Sequence, residues 1–277
     1  MVAPPALREA ARTRSEPAPG LREPVGSLHG AARPGVVESS DTRLAPPIAA
    51  RRPLAYRAPM PRVLLVCGSL QRSSANRAAL DVARAALSAS RVDVTAFDRL
   101  ESIPPLNLDR ADPGEEVLAF RAEIAAADAV LIAAPEYAGA IAGVVKNALD
   151  WVVGSGDLYG KPVALLSAGT SGGVFARRDL VRTLSWQGAH VVLSLGIEAA
   201  NTKTVTDSDG SRRIADPKTV DEIGALASSL VASIAQGPSE RFAAITALAR
   251  DAAVELGPLA NHISAQEETW LRERNAG

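Results

Sequence analysis

The chain has 277 residues, 47% of them hydrophobic and 22% charged, the composition of a globular protein with enough apolar material for a substantial core. A net charge of -1 supplies no electrostatic case for nucleic acid, because a phosphate-tracking surface needs an excess of lysine and arginine. No apolar run approaches the ~20 residues of a membrane span, and the single cysteine, Cys67, cannot form an internal disulfide, so a reducing cytoplasm is the expected location.

Residues 1–60 are crowded with Pro, Ala, Gly and Arg and lack a continuous apolar face, so they are expected to be a disordered tail dispensable for ligand binding. Nine arginines stand against five acids there, with no lysine and no apolar h-region of a secretion signal.

From residue 62 short apolar runs alternate with helical stretches, the sequence form of a parallel sheet with helices on both faces. The first strand is predicted at 62–67, where Val63 to Cys67 are consecutive and apolar, as in a strand buried on both sides. A helix follows at 75–89, a second strand at 92–97, a loop at 103–114, and a helix at 115–127 with Val117, Phe120 and Ile124 on one stripe. The third strand is predicted at 129–134 and closes at Pro135; a helix at 141–152 presents Val145, Ala148 and Leu149 on one face. The fourth strand (162–167), a helix (173–186) and the fifth strand (190–195) come next. An irregular arm at 201–217 turns at Asp209-Gly210, where Asp207-Ser208-Asp209-Gly210 reads as a turn and not a calcium loop, and a helix at 220–235 closes the unit.

The fold class is thus α/β, a doubly wound five-stranded parallel sheet, for which the flavodoxin-like order 2-1-3-4-5 is one of two common forms. After Gly237, Ile245, Ala252 and Leu256 share a helical face, and a second helix is predicted at 259–274. That face is expected to pack on the outside of the domain in preference to meeting another subunit.

In such a sheet a ligand lies beyond the carboxyl ends of the strands, where strand order reverses, here between the first and third. The first strand ends in Gly68-Ser69-Leu70-Gln71-Arg72-Ser73-Ser74-Ala75-Asn76 at the start of a helix. Unpaired amides, hydroxyls and the helix dipole suit a phosphate there, although a capped turn with Ser73 or Ser74 as N-cap accounts for the same residues. The loop is neither a Walker A sequence nor the three-glycine dinucleotide fingerprint. The third strand ends in Pro135-Glu136-Tyr137-Ala138-Gly139 and the fourth in Ser167-Ala168-Gly169-Thr170-Ser171-Gly172-Gly173, so three unusual loops fall on one edge.

These loops, together with Lys146-Asn147-Ala148-Leu149-Asp150-Trp151 and Gly160-Lys161-Pro162, resemble the NAD(P)H-dependent FMN reductases of the flavodoxin-like superfamily, the group that includes quinone, azo-dye and chromate reductases. The resemblance implies an FMN-binding reductase domain at 61–236, between the tail 1–60 and a C-terminal helical extension 237–277. It implies that Ser69, Ser74, Ala75 and Asn76 hold the FMN phosphate. Pro135, Glu136, Tyr137 and Gly139 would lie along the isoalloxazine ring, and Ser167, Ala168 and Gly169 near its pyrimidine edge. Gln71 stands where the family has arginine, which removes a positive charge near the phosphate, with Arg72 as the neighbouring cation. Ala138 stands where the family has asparagine.

The implied chemistry is oxidation of NADPH or NADH, with hydride passing to flavin N5 and electrons to free flavin, a quinone or another small-molecule acceptor. It needs no catalytic acid or base from the protein and no metal. Family resemblance further implies a homodimer or homotetramer.

Two other readings are open. A non-enzymatic FMN electron carrier would share the same site. A serine hydrolase is the other, since Gly169-Thr170-Ser171-Gly172-Gly173 fits Gly-x-Ser-x-Gly between strand and helix, with Asp207 or Asp209 and His262 following in hydrolase order. His29, His190 and His262 are scattered and make no zinc pattern, and Lys146 and Asp150, four apart, are most simply an ion pair.

Overall fold

A computed structural model describes residues 60–251. In chain order these form β1 (Arg62–Cys67), α1 (Ala75–Ala89), β2 (Asp93–Phe97), α2 (Glu115–Ala126), β3 (Ala129–Ala133), a hairpin of β4 (Glu136–Tyr137) and β5 (Ala140–Ile141), α3 (Gly143–Asp150) and β6 (Pro162–Ala168). Then come α4 (Val174–Trp186), β7 (His190–Ile197), α5 (Ala200–Lys203), a hairpin of β8 (Thr204–Thr206) and β9 (Arg212–Ile214), α6 (Pro217–Ile234) and α7 (Pro238–Asp251). The main sheet is parallel and runs β2-β1-β3-β6-β7. Counting those five strands alone, the order is 2-1-3-4-5, the flavodoxin-like fold.

Alternation along each strand divides the core in two. Val63, Leu65, Leu131, Ala133, Ala164 and Leu166 point to one face, where they meet α1 and the Ile223, Leu226 and Leu230 stripe of α6. Leu64, Val66, Val130, Ile132, Val163 and Leu165 point to the other, against Phe120 and Ile124 of α2, Val145 and Leu149 of α3, and Leu180 and Leu184 of α4. Each such leucine contributes about 1.5–3 kcal/mol on burial, which is why the strands read as unbroken apolar runs. Helix α1 meets the sheet mainly through Ala75, Ala78, Ala79 and Ala83.

Strand and helix bounds agree with the sequence prediction to within a few residues, and the differences have local causes. Helix α6 begins at Pro217 because Asp216 caps it, accepting from Thr219 N at 3.0 Å and Thr219 Oγ1 at 2.6 Å, while proline suits the first turn. Helix α3 starts after Ile141, which pairs with Glu136 in a hairpin the sequence did not announce. The arm holds α5 and the β8–β9 hairpin, whose turn closes with Gly210 N donating to Asp207 O.

Asn147 of α3 and Trp151 at its C-terminal cap hold the loop that precedes α2. The Asn147 amide donates to Ile103 O and Pro104 O and accepts from Leu106 N, and Trp151 Nε1 donates to Pro104 O. Lys146 and Asp150 form the expected ion pair at 2.6 Å.

Helix α7 lies against β7 and α4 with Ile245 buried, and Arg241 donates to Gly160 O and Ile234 O. The tail, His29, Ala252, Leu256, the helix predicted at 259–274 and His262 lie outside the described residues. Among the described residues no helix is long and apolar enough to cross a membrane.

His190, at the start of β7, is 4% exposed and its Nδ1 lies 3.5 Å from Arg241 Nη1. Burial first, then the Arg241 charge, push the imidazole from 6.5 down to about 4. Between those values the unfolded chain binds the proton and the folded chain does not, so stability rises with pH across that window and is lost as pH falls through it. The melting temperature, followed by circular dichroism from pH 7 to 4, is expected to fall more steeply in the wild type than in His190→Gln. Parallel curves would show that His190 does not govern the slope.

Candidate functional site

The three loops at the carboxyl edge are built from local constraints. Gly68 leaves β1 with its amide donating to Ala133 O at 2.7 Å, and a Cβ there would collide with Val145 Cγ2, so only glycine lets the chain pass between β3 and α3. Ser69 behind it is 3% exposed. Of the two serines proposed as N-cap, Ser74 takes the role, its Oγ accepting from Asn76 N at 3.1 Å. The amides of residues 69–73 donate to no acceptor among the described residues. Gln71 and Arg72 are both exposed.

Asn76 reaches across to the end of β6. Its Nδ2 donates to Ala168 O at 3.1 Å, and Ala168 N donates to its Oδ1 at 2.9 Å. Both ends of the amide are therefore engaged, and Asn76 joins the first loop to the third through its side chain.

In the second loop Pro135 is buried and Glu136 is half-buried. Glu136 Oε2 accepts from Phe175 N at 2.7 Å and Ala176 N at 3.1 Å, so it caps α4, whose own N-cap, Gly173, has no side chain. Asp179 of α4 accepts from Ile141 N at 3.3 Å, which fastens the β4–β5 hairpin at its other end. Tyr137 is 59% exposed, and Ala138 at the hairpin tip has φ 51°, the left-handed region that alanine disfavours.

In the third loop the Ser167 hydroxyl is buried and has no hydrogen-bond partner among the described residues. It sits under Gly173 (φ 63°), where a Cβ would overlap its Oγ. Arg177 secures this loop, donating from Nε to Gly172 O at 2.9 Å and from Nη1 to Ser194 Oγ at 3.0 Å. Burial lowers its pKa, against the opposing pull of Glu136 and Glu198.

These loops enclose a cavity of about 440 Å³, a size ordinary for a small-molecule site. Ser69, Gln71, Ser74, Ala75 and Asn76 wall it from the first loop, Pro135, Glu136 and Tyr137 from the second, and Ser167, Ala168 and Gly169 from the third. Ala138 and Gly139, expected along the ring, do not line the cavity, because the hairpin turn carries them beyond it. Thr170, Ser171 and Gly173 extend the third loop into the wall, and Ala200, Asn201 and Arg212 close it from the arm.

Of the hydrolase candidates, Ser171 lines the cavity, Asp207 pairs with Arg213, Asp209 accepts from Ser211 N, and His262 lies outside the described residues.

The cavity offers free amides ahead of α1 to an anionic group and the polar lining of the third loop to a polar edge, which fits the chemistry of a flavin mononucleotide. The family model for NADPH-dependent FMN reductase matches residues 61–202. The chain belongs to this family.

An NAD(P)H-dependent FMN reductase of Pseudomonas aeruginosa is 36% identical over 163 residues, 57% of this chain and 86% of its own length. A 2-hydroxy-1,4-benzoquinone reductase of a Burkholderia species is 37% identical over 127 residues, 43% of this chain and 67% of its own. Among solved structures, the flavoenzyme NAD(P)H:(acceptor) oxidoreductase of Paracoccus denitrificans superposes with a TM-score of 0.53 at 29% identity, over 63% of this chain and 97% of the other. At position 138, where the resemblance implied asparagine, that residue would suit the left-handed backbone better than alanine does.

Ala138→Gly is therefore expected to stabilise the protein by about 0.5–1 kcal/mol, the relief of the left-handed alanine less the entropy of glycine. Urea denaturation measures it, and a lower midpoint would mean that the methyl group makes a stabilising contact.

Proposed function

We propose that this chain is an NAD(P)H-dependent FMN reductase that binds FMN non-covalently in the cavity and passes electrons to free flavin, a quinone or a similar acceptor. The observation that carries this reading is the pairing, in one cavity, of unengaged amides in the loop ahead of α1 with the polar third loop from Ser167 to Ser171. The names of the Pseudomonas and Burkholderia relatives support a flavin cofactor and a quinone-type acceptor.

On this reading Ser69, Ser74 and Ala75 hold the phosphate through hydroxyls and amides, while Asn76 keeps that loop in register with the third. Pro135, Glu136 and Tyr137 lie beside the ring, and Ser167, Ala168 and Gly169 meet its polar edge. Glu136 acts by holding the α4 end and the second loop together, since its carboxylate already accepts two amide protons. The exposed Tyr137 ring stands at the mouth, where a nicotinamide or acceptor would stack. Bound FMN supplies the electron exchange itself, and the protein supplies position and shelter from water. The same reading places the activity in residues 61–236 and the protein in the cytoplasm as a homodimer or homotetramer.

Purified protein titrated with FMN is expected to show bound flavin bands that bleach when NADPH is added without oxygen. Flavin bands that NADPH leaves intact would make the chain an electron carrier, and a protein that takes up no FMN would overturn the reading. Gly173→Ala, which drives a methyl group into Ser167, is expected to weaken FMN binding at least tenfold by fluorescence titration while Gly154→Ala, at an exposed position with open space around it, leaves it unchanged.

A further inference from the structure

Resting on the FMN reading above, we propose that Arg212 supplies the cation that pairs with the ligand phosphate, in place of the arginine that position 71 lacks. Among the described residues that wall the cavity, only Glu136 and Arg212 are charged. The Glu136 carboxylate is turned to the α4 amides and cannot neutralise an anion. Gln71 is neutral, and Arg72, its neighbour in sequence, is exposed and off the cavity wall. A doubly charged phosphate held by hydroxyls and amides alone would keep its charge unpaired, so a guanidinium at this wall has a clear electrostatic task.

The arm is built to deliver it. Arg212 opens β9, and Ile214, two residues on and so on the same side of the strand, is 6% exposed and buried in the cluster that holds Ala75, Ala78 and Ala79 of α1. Arg212 is thereby directed to the side of the arm that packs on α1, the helix that the amide loop leads into. The adjacent Arg213 projects the opposite way and pairs with Asp207 at 3.2 Å. Ala199 N to Thr170 O at 3.1 Å and Ala200 N to Gly169 O at 3.2 Å seat the start of the arm on the third loop, and Ala215 N to Lys203 O at 2.8 Å ties its two ends together.

Arg212 itself is half-buried, its Nε is shielded from water without a hydrogen-bond partner, and no carboxylate among the described residues pairs with it. A partly desolvated guanidinium left without an acceptor is costly unless a ligand provides one. It also lies beyond residues 61–202, the span that matches the family model, so the proposed pairing belongs to this chain's arm and not to the matched loops.

The test compares FMN with riboflavin, which has the same ring and no phosphate, by quenching of flavin fluorescence on the full-length protein. Arg212→Ala is expected to weaken FMN about tenfold to a hundredfold and to leave riboflavin unchanged. Arg212→Lys is expected to keep part of the FMN affinity, and Gln71→Arg added to Arg212→Ala to restore it. Equal losses for FMN and riboflavin, or no loss for either, would overturn the proposal. So would unchanged FMN affinity with weakened NADPH binding by calorimetry, which would assign the arginine to the coenzyme. Wild-type protein that quenches neither flavin would overturn the FMN reading and this proposal together, whereas wild-type binding that survives Arg212→Ala would overturn this proposal alone.

Discussion

The reciprocal pair between the Asn76 amide and the Ala168 backbone holds the carboxyl edge of the sheet in one arrangement. The loops it joins follow β1 and β6, which are separated by β3, so no ladder hydrogen bond connects them directly. An amide side chain suits this task because it donates and accepts at once, as a peptide group does. With the pair in place the start of α1 cannot drift from the end of β6, and the cavity floor keeps its width. A ligand-binding edge made of loops is thus given some of the rigidity of the sheet beneath it.

Glu136 follows the same logic at the other side of the cavity. Its carboxylate satisfies two of the amides that a helix beginning at glycine leaves bare, and in doing so it draws the β4–β5 hairpin against α4. Asp179 completes the attachment from the middle of α4. The residues of the second loop are therefore placed by contacts far along the chain, and their side chains are largely spent on holding the edge together. The α3 segment serves similarly, with Asn147 and Trp151 binding the 103–106 loop away from the cavity.

The strands were legible because burial on both faces leaves a mark that survives without context: Val63 to Cys67 is too short and too apolar for much else. The amide loop was legible for a related reason, since small polar residues between such a strand and an alanine-rich helix have few uses. Which serine caps the helix was not legible, because Ser73 and Ser74 have the same local chemistry and only the pairing of Asn76 with Ala168 sets the helix start. The β4–β5 hairpin was hidden because its two-residue strands are held by α4 and not by any preference of their own. For the same reason Ala138 and Gly139 were expected at a wall from which their hairpin turns away. Arg212 gave no signal at all: it follows Ser69 at a great distance in the chain, in an arm of polar turn residues, and reaches the cavity only because β8 and β9 fold back on each other.

The small side chains on α1 have an effect beyond packing. Ala75, Ala78, Ala79 and Ala83 set how near this helix sits to the sheet, whereas the opposite face of the sheet is spaced by Phe97 and Phe120. Because the amide loop leads directly into that same helix, the methyl groups of Ala79 and Ala83 act as shims that fix how deep the loop lies at the sheet edge. A larger residue at either position would lift the whole helix, and with it the anion site, although neither side chain touches the cavity. Tolerance to mutation in this protein is therefore narrower along one alanine stripe than the mild chemistry of alanine suggests.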